Sequence, residues 1–206
     1  MIGYYNYTVI LTYIGTVFGF TGITYVFNGK ITTALICLMV AGFCDMFDGK
    51  IASTMKRTEQ EKKFGIQIDS LSDLICFGVL PAIIVWRTTN GESIYLSISI
   101  AYLLSALVRL AWFNVDEEER QNKEEGSRSV YLGLPVTTSA LIIPIVTGIL
   151  QLLNLPVGRI LPWALLITAV AFIAPFKLKK PGLIGKIIMV LFGIAGLVAL
   201  LLGVRV

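Results

Sequence analysis

Four aspartates in an otherwise apolar chain stand at spacings that suit a metal site. Asp45 and Asp48 are three positions apart, and Asp69 and Asp73 are four positions apart. On a helix, both spacings place the two carboxylates on one face. An ionised carboxylate in a low-dielectric setting is costly unless it is paired or binds a cation. We therefore predict a site for hard divalent cations such as magnesium, manganese or calcium, in which two ions would balance the four acids.

Glycines accompany both acid pairs. Gly49 follows Asp48 directly, and Gly65 lies four positions before Asp69. Glycine lets the backbone approach a ligand where a Cβ would intrude. Two metals beside such backbone suit displacement at phosphorus, because they clamp a pyrophosphate and align the attacking and leaving oxygens. The chain contains no histidine, so we expect an aspartate to act as the general base.

The composition is typical of a membrane protein. The 206 residues are 56% hydrophobic and only 15% charged, and the apolar residues form long blocks, as in an all-α polytopic membrane protein. The three cysteines lie inside these blocks without CxxC spacing, so we expect buried thiols and neither disulfides nor thiolate metal ligands.

We predict a single integral-membrane domain over residues 1–206, built as a bundle of about seven transmembrane helices, with a range of six to eight. Each predicted span has about 18–22 residues, enough to cross a hydrocarbon core of about 30 Å. The start has no cleavable signal pattern, so we expect the first span to be retained. The spans are residues 8–27, 31–48, 66–86, 94–113, 132–153, 158–176 and 183–204.

Lys and Arg residues predict the orientation of the bundle. Most of them lie in the connections 49–65, 114–131 and 177–182, and we count Lys186 on the same side. The positive-inside rule then predicts a protein of the cell membrane with its N-terminus and the four-acid site facing the cytoplasm, and its C-terminus outside. We interpret 114–131 as a solvated connection with a helical turn or two. We expect membrane lipids as partners and no nucleic acid.

The acid motifs resemble those of the CDP-alcohol phosphotransferase (CDP-alcohol phosphatidyltransferase) family, whose pattern is D-x-x-D-G-x-x-A-R followed by G-x-x-x-D-x-x-x-D. The chain departs from this pattern at Ser53, where the family has arginine. Lys62 falls where a serine or threonine often contacts the nucleotide lipid. Arg57, Lys56 or Lys62 could supply the missing cation. The matching positions are Asp45, Asp48, Gly49, Ala52, Gly65, Asp69 and Asp73.

Three further blocks, residues 69–82, 108–115 and 131–140, resemble those of membrane-embedded phosphatidylserine synthases in this family. The resemblance implies transfer of a phosphatidyl group from CDP-diacylglycerol, or its archaeal ether counterpart, to the hydroxyl of L-serine, with release of CMP. It also implies Mg²⁺ or Mn²⁺ as cofactor, with two ions per active site, and a homodimer.

The resemblance also implies roles for individual residues. Asp45, Asp48 and Asp69 would hold the first metal ion, and Asp45 and Asp69 would be shared with the second. Asp73 would complete the second site and act as the catalytic base that takes the serine proton. The positions implied to contact the CDP-lipid are Gly49, Ala52, Gly65, Ser53 and Lys62.

Arg109 is the one basic residue in the interior of a predicted span, and it needs a counter-charge or an anionic ligand. It could pair with a motif aspartate, or it could bind the serine carboxylate or a lipid phosphate, for which a two-pronged donor is well suited. Asn114, just beyond the end of the same predicted span as Arg109, is a second candidate for acceptor binding.

Two alternatives to serine transfer remain open. The same chemistry could use glycerol 3-phosphate or inositol phosphate, although a phosphorylated acceptor should need several basic residues in the pocket, and Arg109 alone favours a zwitterion. A divalent-cation transporter is a more distant alternative. Transporters commonly show internal repeats and acids near the membrane midplane, whereas this sequence has no evident repeat and its acids gather at one membrane edge.

Overall fold

The computed structural model describes residues 3–123, 130–179 and 182–203, and seven helices account for most of these residues. Two short strands, β1 (Val130–Leu132) and β2 (Lys177–Lys179), pair with each other. The helices are α1 (Ile10–Phe27), α2 (Ile31–Ala52), α3 (Glu59–Thr88), α4 (Ser93–Lys123), α5 (Ser139–Leu152), α6 (Val157–Ile173) and α7 (Leu183–Gly203).

Five of these helices, α1 to α4 and α7, are long and apolar enough to cross a membrane, whereas α5 and α6 are shorter apolar helices. Many large apolar side chains on them are exposed, such as Leu183 at 78% and Ile167 at 71% of their surface. This outward apolar surface suits contact with lipid. The protein is an all-helical polytopic membrane protein, as the sequence predicts.

Two helices extend further towards the acid site than the predicted spans. Helix α2 ends at Ala52 instead of residue 48, and α3 begins at Glu59 instead of residue 66. A capping box starts α3: Thr58 Oγ1 accepts a 3.2 Å hydrogen bond from the Glu61 N–H, and the Glu61 carboxylate accepts one of 2.8 Å from the Thr58 N–H. The polar connection between the acid pairs therefore shrinks to residues 53–58.

Helix α4 corrects the prediction for residues 114–131. The helix continues to Lys123, nearly three turns beyond the predicted end at residue 113. Arg120 and Glu117 form a 2.6 Å ion pair along its surface, and such pairs support a helix at this spacing. Residues 124–129 of the predicted connection, and 180–181 and 204 of other predicted segments, lie outside the described residues.

The helices pack in pairs around α3. Helix α1 lies along α2, α4 along α6, and α5 along α7, while α3 contacts α1, α4 and α6. At the centre, Phe77 of α3, Tyr102 of α4 and Phe172 of α6 are almost fully buried. The rings of Tyr102 and Phe172 are 5.3 Å apart between centroids, in a tilted arrangement.

The N-terminus and the connections on either side of the acid site lie at one end of the bundle. The hydroxyl groups of Tyr7 and Thr54 are 3.0 Å apart and hydrogen-bonded. Lys63, in the first turns of α3, forms a 3.4 Å ion pair with Glu118 near the end of α4. These two contacts bring the N-terminal segment, the connection 53–58 and the end of α4 to the same end of the bundle.

The two strands form a small antiparallel pair at the same end of the bundle. This pair is not predicted from the sequence. Tyr131 stands opposite Leu178 in the pair, and its ring lies 6.0 Å from that of Phe113 on α4. Gly133 follows β1 with φ of +74°, and a Cβ there would lie 2.8 Å from the carbonyl oxygen of Phe172. Only glycine meets both requirements without strain.

Candidate active site

The two acid pairs converge between α2 and α3. Asp45, Asp48 and Asp69 each offer a carboxylate oxygen, and these three oxygens lie within 4.8 Å of one another. The carboxyl group of Asp73 contacts that of Asp45, and the carboxyl group of Asp48 contacts that of Asp69. Helical spacing brings the acids of each pair together, and the packing of α2 against α3 brings the two pairs together.

This donor set fits a hard divalent cation. Bonds of about 2.0–2.6 Å from oxygen to Mg²⁺ or Ca²⁺ put opposite ligands about 4–5 Å apart, which the separation of the three oxygens allows. The ligands available are carboxylate oxygens, the type that Mg²⁺, Mn²⁺ and Ca²⁺ prefer. Four acids so close together in an apolar bundle also need positive charge to offset their repulsion.

Helix α1 supports the acids through a polar seam. Thr12 Oγ1 donates to Asp48 Oδ2 at 3.4 Å. One turn further along, the hydroxyl groups of Thr16 and Ser72 are 2.7 Å apart and hydrogen-bonded. Ser72 lies beside Asp73 in the chain, so this contact fixes α3 against α1 next to the acid pair. Groups that orient ligand carboxylates in this way commonly tune metal affinity.

A π-helical turn, Leu74–Val79, follows Asp73 directly. Pro81 gives a physical reason for it. Proline has no N–H, so the carbonyl of Phe77, four residues earlier, lacks its ordinary α-helical donor. Tyr102 Oη donates to that carbonyl at 2.6 Å and Ser139 Oγ donates to it at 3.3 Å. Because one residue is added to the turn, the acid-bearing half of α3 is rotated by about 100° relative to its apolar half.

A cavity of about 890 Å³ opens beside the acids, between α2, α4, the start of α5 and α7. Asp45, Asp48 and Asp73 line it, whereas Asp69 lines a small recess behind them. Most of the remaining wall is apolar. The acids thus stand at the boundary between a small buried recess and a space large enough for a substrate.

Arg109 of α4 lines the same cavity. It is 5% exposed, and its Nε donates to the carbonyl oxygen of Leu134 at 3.3 Å. Its guanidinium lies over the rings of Trp112 and Phe113, 5.6 and 5.3 Å from their centroids. These contacts hold the guanidinium as a fixed cation in the cavity wall.

Comparison with known proteins identifies the family. The profile described as "CDP-alcohol phosphatidyltransferase" matches residues 5–175, which contain both acid pairs and helices α1 to α6. The chain belongs to the CDP-alcohol phosphatidyltransferase family. Helix α7 lies outside the matched region.

Curated relatives in this family carry names of serine-lipid synthases. The chain is 27% identical over 127 residues to a CDP-diacylglycerol–serine O-phosphatidyltransferase of Helicobacter pylori, covering 61% of this chain and 50% of the relative. It is 30% identical over 126 residues to an archaetidylserine synthase of Methanothermobacter thermautotrophicus, with coverage of 61% and 50%. A Saccharomyces cerevisiae CDP-diacylglycerol–serine O-phosphatidyltransferase is 34% identical over 108 residues, with coverage of 51% and 38%. The chain thus matches half or less of the length of these relatives.

The residues expected to contact the CDP-lipid have different surroundings in the structure. A Cβ on Gly49 would meet no atom within 4 Å, so the space beside that backbone is open. At Gly65, a Cβ would lie 3.2 Å from a guanidinium nitrogen of Arg57. Ser53 is exposed, and its hydroxyl donates a 2.7 Å hydrogen bond to the carbonyl oxygen of Lys50 in the last turn of α2.

Lys62 and Asn114 make contacts other than those expected of substrate-binding residues. Lys62 is exposed and forms a 2.7 Å ion pair with Glu59. Asn114 lies outside the cavity lining, and its Oδ1 accepts a 2.9 Å hydrogen bond from Ser70, the neighbour of Asp69. Asn114 therefore connects α4 to the acid-bearing part of α3.

Lys50 and Lys186 both line the cavity, although neither is predicted from the sequence to do so. Of the two, Lys186 is the one that lies in a predicted span. It was counted only as a charge at the membrane surface, yet it lines the cavity with Asp45 and Arg109. The available signal was its place in the first turns of an otherwise apolar helix.

Proposed function

We propose that this protein transfers the phosphatidyl group of a CDP-diacylglycerol-type lipid, with ester- or ether-linked chains, to the hydroxyl of L-serine and releases CMP. The observation that carries the proposal is a cluster of four carboxylates, three of which line a cavity together with Arg109. The printed names of the relatives supply the acceptor, since each describes synthesis of a serine lipid.

Asp45, Asp48 and Asp69 are the proposed ligands of Mg²⁺ or Mn²⁺, and Asp73 completes a second site. When bound there, two divalent cations would neutralise the diphosphate and align the attacking and leaving oxygens. The protein's own contribution is to hold the carboxylates on two rigid helices, with Thr12 orienting Asp48. No large rearrangement of the acids is then needed when substrate arrives.

Asp73 is the proposed general base, because its carboxyl group lines the cavity in which the acceptor would lie. It accepts the proton of the serine hydroxyl while that oxygen forms a bond to the lipid-side phosphorus. The bond between this phosphorus and the oxygen of CMP breaks, and CMP leaves with the bonding electron pair. Arg109 would bind the serine carboxylate and keep the hydroxyl near Asp73.

The CDP-lipid is proposed to lie along the backbone of Gly49, Ala52 and Gly65. The open space beside Gly49 supports close approach of the nucleotide. Arg57 is the better candidate than Lys62 for the cation that the family carries at residue 53, because its guanidinium lies against Gly65 while Lys62 is paired with Glu59.

A phosphorylated acceptor is the second candidate, and one observation favours it. Three cations, Lys50, Arg109 and Lys186, line the cavity, so the sequence argument that a single buried arginine favours a zwitterion does not hold. Glycerol 3-phosphate and inositol phosphate therefore belong in the test. The family match argues against a cation transporter.

The orientation and the assembly are also proposals. The basic connections lie at the same end of the bundle as the acids, which supports a site that faces the cytoplasm and an N-terminus on that side. The proposal that the protein is a homodimer rests on the family resemblance alone. Accessibility of a tag placed at the N-terminus in intact cells tests the orientation, and the mass of the detergent-solubilised protein tests the dimer.

Purified protein with CDP-diacylglycerol, Mn²⁺ or Mg²⁺ and a panel of alcohols tests the function. We expect CMP release with L-serine and little with glycerol 3-phosphate or inositol phosphate. Brisk release with either phosphorylated alcohol and none with serine would establish the second candidate instead. Metal-ion uptake by proteoliposomes without CMP release from any alcohol would contradict both.

A further inference from the structure

Helix α7 contributes one wall of the catalytic cavity although it lies outside the family-matched residues 5–175. The residues of α7 that line the cavity are separated alternately by three positions and by one, and this spacing places them on one face of the helix. These residues are Lys186, Met189, Val190, Gly193, Ile194 and Leu197.

The second half of α7 is the part that holds the helix to the bundle. A Cβ on Gly196 would lie 2.6 Å from Ile145 Cγ1, and one on Gly148 would lie 2.9 Å from Ala199 Cβ, so α5 and α7 approach closely there. Gly196 and Leu200 are the buried positions of α7 within its described residues. The first half, which carries Lys186, borders the cavity instead of packing tightly.

Lys186 is half-buried in that first half, and its ammonium group lies within electrostatic range of Asp45. A lysine near the end of a membrane helix ordinarily extends its charge to the headgroup region. Lys186 instead lines the substrate-sized cavity, with Arg109 as a second cation in the wall. If divalent cations balance the acids, the Lys186 ammonium group can instead interact with an anion that a substrate brings in.

We propose that Lys186 binds an oxyanion of a substrate in this cavity, either the carboxylate of an amino-acid acceptor or a phosphate of a lipid or acceptor. The inference builds on the proposed function, since it takes the cavity as the substrate site. It makes α7 a substrate-binding element of this chain in addition to the matched family core.

The test compares Lys186→Gln with Lys186→Arg and with the control Lys179→Gln, which removes the same charge from an exposed position at the same end of the bundle. KM for L-serine and KM for CDP-diacylglycerol in mixed micelles are measured separately from CMP release. We expect Lys186→Gln to raise one of the two KM values about 10-fold or more, with partial rescue in Lys186→Arg and no change in the control. The KM that rises identifies the source of the oxyanion.

Two results would overturn the inference. One is that both KM values stay within about twofold of wild type. The other is that Lys186→Gln lowers only the thermal unfolding midpoint without substrate, which would make Lys186 a structural partner of Asp45.

The measurements distinguish an error in the proposed function from an error in the role of Lys186. A wild-type protein that ignores serine but uses another alcohol refutes the proposed acceptor, and the Lys186 comparison is then made with that alcohol. If no alcohol is used, thermal stabilisation by CDP-diacylglycerol replaces KM. Equal stabilisation of wild type and Lys186→Gln would then count against the inference.

Discussion

Tyr102 Oη donates a 2.6 Å hydrogen bond to the backbone carbonyl oxygen of Phe77, which Pro81 leaves without its usual helical donor. This contact connects α4 to the π-helical turn that follows Asp73. The geometry of a proposed catalytic acid therefore depends on a buried tyrosine in another helix.

Replacing Tyr102 with phenylalanine should lower the free energy of unfolding by about 0.5–2 kcal/mol, because the Phe77 carbonyl loses the shorter of its two side-chain hydrogen bonds and keeps the longer one from Ser139. Thermal unfolding of the detergent-solubilised protein measures the change. Tyr95→Phe on the same helix is the matched control and should change stability little. Equal stability of the Tyr102→Phe protein and wild type would show that the hydrogen bond is not needed to hold the π turn.

Two glycines on α2 should respond in opposite ways to alanine. Gly42→Ala should destabilise the protein by about 1–3 kcal/mol, because the new Cβ would lie 2.5 Å from Ala140 Cβ. Gly49→Ala should leave stability unchanged or raise it by up to about 1 kcal/mol, since nothing lies within 4 Å of its Cβ. It should nevertheless raise KM for the CDP-lipid. Unchanged KM in the stable Gly49→Ala protein would refute backbone approach by the nucleotide at this position.

Divalent cations should stabilise the folded protein through Asp45, Asp48 and Asp69. Mn²⁺ at 100 times its dissociation constant should add about 2.7 kcal/mol to the free energy of unfolding. The thermal midpoint with Mn²⁺, with chelator and with NaCl of equal ionic strength measures the effect. Asp69→Asn should lose most of the shift, whereas the control Glu92→Gln, at an exposed acid elsewhere, should keep it. A full shift in Asp69→Asn would place the metal somewhere else.

Asp73→Asn should lower the rate of CMP release by about 10²–10⁴-fold, because the amide cannot accept the acceptor's proton. Stabilisation by Mn²⁺ should be largely retained, since Asp45, Asp48 and Asp69 remain. Asp48→Asn is the comparison: it weakens metal binding, so excess Mn²⁺ should restore part of its activity. If excess Mn²⁺ also restores Asp73→Asn, Asp73 acts as a metal ligand and not as the base.

The sequence by itself determined the two acid pairs of the proposed metal site. Helical spacing within each acid pair is a local property of the chain, so the convergence of Asp45 with Asp48, and of Asp69 with Asp73, followed from pattern alone. The seven apolar segments were equally readable, because a long apolar block is a local property of the sequence. Among the described helices, five are long enough to cross a membrane and two are shorter. The ends of α2, α3 and α4 were less readable, since these helices continue into polar sequence at the site end. The T-x-x-E capping box at Thr58 was the local signal that would have moved the start of α3.

Contacts between distant segments were decided only by the tertiary structure. Nothing local in the sequence connects Lys186 with Asp45, or Tyr102 with Phe77, because such pairs depend on how helices far apart in the chain pack together. Packing also placed Asn114 within hydrogen-bonding distance of Ser70, and the Arg57 guanidinium beside Gly65. The spacing of residues along one helix fixes a face, but only the assembled bundle fixes what that face meets.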